Sequence, residues 1–161
     1  MRLLIAAVGK LKQGPERELL THYLARIEAL GRKLGLGPLS LIEIPESRAA
    51  SATVRCRDEA KALLAKLPPS YRRICLDRAG GKQLSSEGFA ERLAKFRDGG
   101  ADGLAFVIGG ADGLGGEVLA EADMRLSLGA MTLAHGLARL VLAEQLYRAE
   151  TILAGHPYHR E

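Results

Sequence analysis

Apolar and polar positions alternate between two regimes along this chain. Leu3–Val8 is an unbroken apolar run ended by Gly9, the pattern of a strand buried on both faces. Pro15 suits the first turn of a helix. Leu19, Leu20, Tyr23, Leu24, Ile27 and Leu30 then recur at helical spacing to about Leu34, where Gly35 and Gly37-Pro38 stop the pattern. Leu39–Ile44 reads as a second strand closed by Pro45, and residues 45–55 lack any apolar period and read as an exposed loop. Helical spacing returns from about Val54 to Leu67, before Pro68-Pro69, and Arg73–Asp77 reads as a third strand. A turn-rich loop leads to a short amphipathic helix carrying Phe89, Leu93 and Phe96, stopped at Gly99-Gly100. Gly103–Gly110 is the most strand-like piece. A glycine-rich turn then opens a short helix, a short apolar segment with a loop follows, and a long apolar helix runs to Gly155. Strands alternate with helices throughout, which predicts an α/β fold: a mostly parallel sheet flanked by helices, in one domain over residues 1–161.

Composition narrows this picture. The 161 residues are 47% hydrophobic and 26% charged, with no Trp and three Phe, so the core is aliphatic. A chain of this size buries roughly 70% of its unfolded surface without disulfides. The two cysteines, Cys56 and Cys75, read as buried free thiols of a reducing compartment. A net charge of +4 permits a polyanionic partner without requiring one. The apolar run at the start is too short for a signal peptide or a membrane span, which predicts a cytoplasmic protein with no membrane partner.

Three stretches hold candidate chemistry. "IGGADGLGGE" follows a strand and precedes a helix, where glycines let backbone amides approach a ligand. It fits neither a P-loop nor a dinucleotide fingerprint, and spacing alone leaves a ligand loop and a plain tight turn open. A ligand held there is nucleoside-like, bound at the carboxyl ends of parallel strands. His156 and His159 are spaced like a metal pair, but two imidazoles are half a site and no further ligand lies in range, so no metal is predicted. His22 reads as a surface or satisfied core residue, and His135 as a cap or a site residue. On the last helix Glu144 and Arg148 share a face, and a solvated i,i+4 ion pair accounts for them.

Taken together, "IGGADGL", "LSLGAMTLAHGLARLVLAEQLYRA" and the final "HPYHRE" resemble the small SPOUT-class RNA methyltransferases of the RlmH (YbeA-like) family. "LLIAAVGK", "LIEIPES" and "LDRAGGK" extend the resemblance over the whole length. It implies a SPOUT-type fold with a C-terminal trefoil knot, S-adenosylmethionine as methyl donor, and a homodimer with the site at the interface. The implied reaction is methylation of N3 of a pseudouridine in the helix 69 loop of 23S ribosomal RNA, on the assembled ribosome. Carried over by position, the cofactor contacts are Leu76, Gly109, Leu128, Gly129, Ala130, Met131, Thr132 and Leu133. Tyr158, His159 and Arg160 match the part implicated in catalysis, with His159 the base by chemical type, and this places the last residues beside the methyl donor. Ala111 and Asp112 stand where the family often has Pro and Glu, Ala134 and Gly136 flank His135 where prolines are common, and Gly129 replaces a common serine. These departures imply less rigid loops. The apolar last helix, with Leu137, Leu140, Val141 and Leu146, is expected to bury that surface in the dimer. The rival readings are an RNA-binding module without a methyl donor and a small-molecule enzyme of flavodoxin type, separable by titration with S-adenosylmethionine and with flavin mononucleotide.

Overall fold

The structure, a computed structural model, describes residues 1–159, and side chains as far as Tyr158. Five strands, β1 (Arg2–Val8), β2 (Leu39–Ile44), β3 (Tyr71–Leu76), β4 (Gly103–Ile108) and β5 (Met124–Leu126), form one sheet in the order β2-β1-β4-β3-β5. Every pairing is parallel, as the continuous apolar runs require of strands covered on both faces. Five helices cover it: α1 (Pro15–Leu34), α2 (Ala52–Leu64), α3 (Ser86–Asp98), α4 (Gly116–Ala120) and α5 (His135–Leu153). A short 3₁₀ turn, Pro157–His159, follows.

Period-two alternation sorts the strand residues between two cores. Leu3, Ile5, Ala7, Ile74, Leu104, Phe106 and Ile108 pack with α1, α3 and α5 on one face. Leu4, Ala6, Val8, Cys75, Ala105 and Val107 pack with α2 and α4 on the other. Helix limits follow local chemistry. Pro15 opens α1 and Gly35, in the left-handed region, closes it. Ser51 and Ser85 cap α2 and α3 by accepting from the Val54 and Gly88 amides.

Two expectations need correction. β5 is a strand where the sequence read only as an apolar segment with a loop, because three residues are too few to display a period; its partner β3 fixes it. Cys75 is buried as expected, but Cys56 is only half-buried, and its thiol donates to the Asp112 carbonyl at 3.6 Å.

α5 lies against both α1 and α3, which explains most of its apolar character within one chain. Leu146 is fully buried and Leu140 half-buried, so neither is the exposed surface the sequence suggested; Leu137 and Val141 are exposed. The same buried face carries Glu150, whose carboxyl oxygens find no hydrogen-bond partner among the described residues. It sits against Gly31 of α1, where a Cβ would lie 2.7 Å from its Oε1. Burial, with the nearby Glu28 charge, pushes its pKa up to about 8.

A carboxyl raised in this way binds a proton that the unfolded chain releases near its ordinary pKa of 4.5. Its effect on stability is therefore nil below pH 4.5, turns unfavourable as pH rises toward 8, and is complete above it. Glu150→Gln is expected to leave the denaturation midpoint nearly unchanged at pH 4.5. At pH 9 the variant is expected to be more stable than the parent by on the order of a few kcal/mol, read from urea titrations.

Candidate active site

The carboxyl ends of β3, β4 and β5 open into a cavity of about 670 Å³, within the range of a nucleoside-sized ligand. Three segments wall it. The first is the turn after β3, where Asp77 Oδ1 accepts from the Ala79 and Gly80 amides, both at 3.1 Å. The second is the glycine-rich loop after β4. The third is the segment 128–134 together with the first turn of α5.

Of the residues the resemblance assigns to the cofactor, Leu76, Gly109, Leu128, Gly129, Met131, Thr132 and Leu133 line this cavity. Ala130 does not; its carbonyl instead accepts from Arg78 Nη1 at 3.2 Å, tying the third wall to the first. Gly109 is required by its own loop: a Cβ there would lie 2.5 Å from the carbonyl carbon and oxygen of Gly113. Backbone crowding therefore fixes glycine at 109, whether or not a ligand approaches.

Sequence reasoning missed several lining groups. Asp77 and Arg78 come from the turn, and Ala138 from the first turns of α5. His135, which the sequence read as a cap or a site residue, also lines the cavity, at the first position of α5, with Nε2 3.7 Å from Glu46 Oε1. No signal short of the folded topology brings Glu46, beyond β2, to this edge.

Arg139 is the largest omission. It is completely buried, ion-paired with Glu43, and donates from Nη2 to the carbonyls of Val8 and Gly9 at 3.2 and 3.0 Å. Glu43 also accepts from Arg17 Nη2 at 2.7 Å and from the Leu11 amide at 3.1 Å. Burial alone would raise the Glu43 pKa, but the Arg17 and Leu11 hydrogen bonds and the two guanidinium charges outweigh it and hold the carboxyl below its ordinary value. The sequence did contain a clue. Arg139 falls at helical spacing with Gly136, Ala143 and Leu146 on the buried face, where a surface charge has no place.

Of the last residues, Tyr158 folds back along α5 onto Glu144, Tyr147 and Arg148, about 9–15 Å along the helix axis from the cavity-lining Ala138. Its phenol donates to Glu144 Oε1 at 3.3 Å and lies 3.3 Å from the Tyr23 hydroxyl. Its ring meets Tyr147 edge-on at 4.8 Å, and the Arg148 guanidinium stands 5.1 Å from its centroid. Burial first, then Tyr23 and Glu144, push the Tyr158 hydroxyl up, so it stays protonated. Tyr158 packs on the core, and within one chain it is not among the residues that line the cavity. The Glu144–Arg148 pair forms as expected, at 2.8 Å. The candidate His159 side chain and Arg160 lie outside the described residues.

Among the described residues no cluster of His, Cys, Asp and Glu has the make-up of a metal site, and no helix is long and apolar enough to cross a membrane.

Comparison with known proteins adds to this geometry. The family described as "Predicted SPOUT methyltransferase" matches residues 1–159. A protein of Xanthobacter autotrophicus named ribosomal RNA large subunit methyltransferase H is 56% identical, over 99% of both chains. Its namesake in Rhodopseudomonas palustris (strain ATCC BAA-98 / CGA009) is 52% identical over the same shares. Among solved structures, a probable methyltransferase from Bordetella pertussis Tohama I shares the fold with a TM-score of 0.52 at 17% identity, covering 92% of this chain and 96% of that one.

Replacing Arg139 by Ala is expected to take their guanidinium donor from the buried Val8 and Gly9 carbonyls and to leave Glu43 with only Arg17 and the Leu11 amide. The expected loss is about 3–5 kcal/mol of unfolding free energy, the usual cost of removing one partner of a buried pair. Chemical denaturation of the purified variant measures it.

Proposed function

The chain belongs to the SPOUT methyltransferase family, and from that membership we propose that it transfers a methyl group from S-adenosylmethionine to N3 of a pseudouridine in the helix 69 loop of 23S ribosomal RNA. The assembled ribosome is the substrate, the enzyme acts in the cytoplasm as a homodimer, and the segment after β5 threads a trefoil knot. The observation that carries the reading is full-length similarity, above 50% identity, to proteins named for ribosomal RNA methylation, in a chain whose three loop segments converge on one cavity.

The residues present fit the donor. Leu76, Leu114, Leu128 and Leu133 offer apolar walls to an adenine ring, and Asp77 adds a carboxylate to the lining, of the charge sign that a cationic donor favours. When bound, S-adenosylmethionine supplies an electrophilic methyl group on positive sulfur. The chain's task is to align the acceptor nitrogen in line with it and to exclude water. N3 loses its imide proton as it gains the methyl group. His159 takes that proton, and Arg160 binds phosphate or steadies the imidate oxygen.

Tyr158 is not among the residues that line the cavity of its own chain, and a site shared between two copies accounts for this. Leu137 and Val141, 42% and 36% exposed, form a short apolar strip that continues toward Glu144 and Arg148 on α5. Two such helices crossing antiparallel about a two-fold axis bring the last residues of one copy to the first turn of α5 in the other.

Tritiated donor and bacterial ribosomes test the reading. Label is expected in one helix 69 pseudouridine, located by mass spectrometry of nuclease fragments; label at another nucleotide, or none, overturns the target. Mixed dimers test the shared site. Ala138→Phe, which fills the cavity, and the double change His159→Ala with Arg160→Ala are each expected to lower turnover by about 10²–10⁴-fold. Equal mixing after joint refolding is expected to recover roughly a quarter of wild-type turnover, because half the dimers then hold one intact shared site. No recovery means each site is built from one chain.

A further inference from the structure

The outer surface of α2 carries a guanidinium aimed at the glycine-rich loop. That loop turns at residues 110–113, where the Gly113 amide donates to the Gly110 carbonyl at 3.1 Å. The central positions are Ala111 and Asp112, both exposed, and neither residue type restricts its own backbone strongly. With glycines at 109, 110, 113, 115 and 116, such a loop loses much conformational entropy when it is fixed. Arg55 supplies the fixing contact. Its Nε and Nη2 donate to both carboxylate oxygens of Asp112, at 2.6 and 3.1 Å, and its Nη1 donates to the Ala49 and Ala50 carbonyls, both at 3.0 Å. One planar fork thereby joins the loop after β2 to the tip of the loop that walls the cavity. Two neighbours on α2 reinforce the grip. The Cys56 thiol donates to the Asp112 carbonyl, and the buried Glu59 accepts from the Ser47 amide at 2.9 Å while standing against Gly110.

We infer that Arg55 is a positioning residue for the cavity: it holds the 110–113 turn in the shape that receives the ligand, where no residue of the turn presets its backbone. The inference rests on the reading that the cavity takes S-adenosylmethionine. Its structural half, the restraint on the turn, stands apart from the ligand's identity. Ion pairs at the surface contribute little to global stability, so the effect is local.

The test uses the full chain with Arg55→Ala, Arg55→Lys, and Arg55→Ala combined with Ala111→Pro. Proline suits Ala111 because it presets the backbone at the second position of such a turn, and none of the described residues accepts a bond from the Ala111 amide. Hydrogen exchange without ligand is expected to quicken at amides 110–114 in Arg55→Ala, while the strand amides and the thermal midpoint stay close to wild type. Calorimetric titration is expected to show S-adenosylmethionine binding weakened about tenfold, the effect of a site that must order itself on binding. Turnover at saturating donor stays within about twofold. Arg55→Lys, a point charge without the fork, is expected to behave like Arg55→Ala, and Ala111→Pro to restore both slow exchange and affinity. Unchanged loop exchange in Arg55→Ala overturns the inference, as does an affinity loss that Ala111→Pro leaves untouched. A wild-type chain that ignores S-adenosylmethionine defeats the proposed function instead, and the exchange data still decide the role of Arg55.

Discussion

The Arg139 guanidinium is held out of water at the carboxyl edge of the sheet, where an unpaired cation would cost several kcal/mol. It is tolerated because Glu43 of β2 pairs with it and the last carbonyls of β1 accept from it. Those partners are fixed by the sheet, so the arginine transmits their position to α5. The start of the helix is thereby set above β1 and β2, and with it the wall of the cavity that His135 and Ala138 form. Glu43 adds Arg17 of α1 and the Leu11 amide to the same carboxylate, so the loop after β1 and two helices all refer to one side chain. The hydrophobic core alone cannot do this. Apolar contacts fix how far α5 stands from the sheet and tolerate sliding along it, whereas a fork of directed hydrogen bonds does not.

The same buried face of α5 carries a second charge-capable group, treated in the opposite way. Glu150 has no hydrogen-bond partner among the described residues, so its burial is relieved by keeping its proton. Arg139 cannot take this route, since a guanidinium does not give up its proton near neutrality. One helix thus shows both exits from the cost of burying charge: pairing where the group must stay ionised, and neutralisation where it need not. The consequences differ. The paired arginine defines a position, whereas the protonated carboxyl defines nothing and leaves the α1–α5 contact sensitive to alkaline pH.

Much of the fold was legible in the chain because burial on both faces writes itself as continuous apolar runs. Leu3–Val8 and Gly103–Ile108, the central pair of strands, were the clearest of all. β5 was not legible, since three residues carry no period and only the edge of β3 makes them a strand. The candidate site was legible chiefly through the resemblance, which named seven of the residues that line the cavity. The residues that hold the cavity in shape were not. Glu43 and Arg139 are 96 positions apart and Arg55 and Asp112 are 57 apart, and a charged pair gives no local signal of its partner. Apolar periodicity reports which side of an element faces inward. It is silent on which polar groups meet once the elements are stacked.

The placement of Tyr158 follows from this difference between packing and positioning. A residue near the end of a chain stays ordered only if its contacts exceed the entropy they cost. Tyr158 meets that condition with its ring against Tyr147 and beneath Arg148, and with its hydroxyl between Tyr23 and Glu144. Those contacts come from α1 and from the middle of α5, at Glu144, Tyr147 and Arg148, so the anchor holds the ring about two to three helical turns beyond the cavity-lining Ala138 of the same chain. Shortening the helix would expose its buried face and remove the Arg139 anchor's leverage over the cavity wall. If residues 158–160 act at a cavity, a second copy whose α5 runs the other way would bring them to it without disturbing the ring cluster around Tyr158. In that geometry the contacts that order Tyr158 also set the reach of the two residues after it, and the ring cluster becomes the positioning element of the shared site.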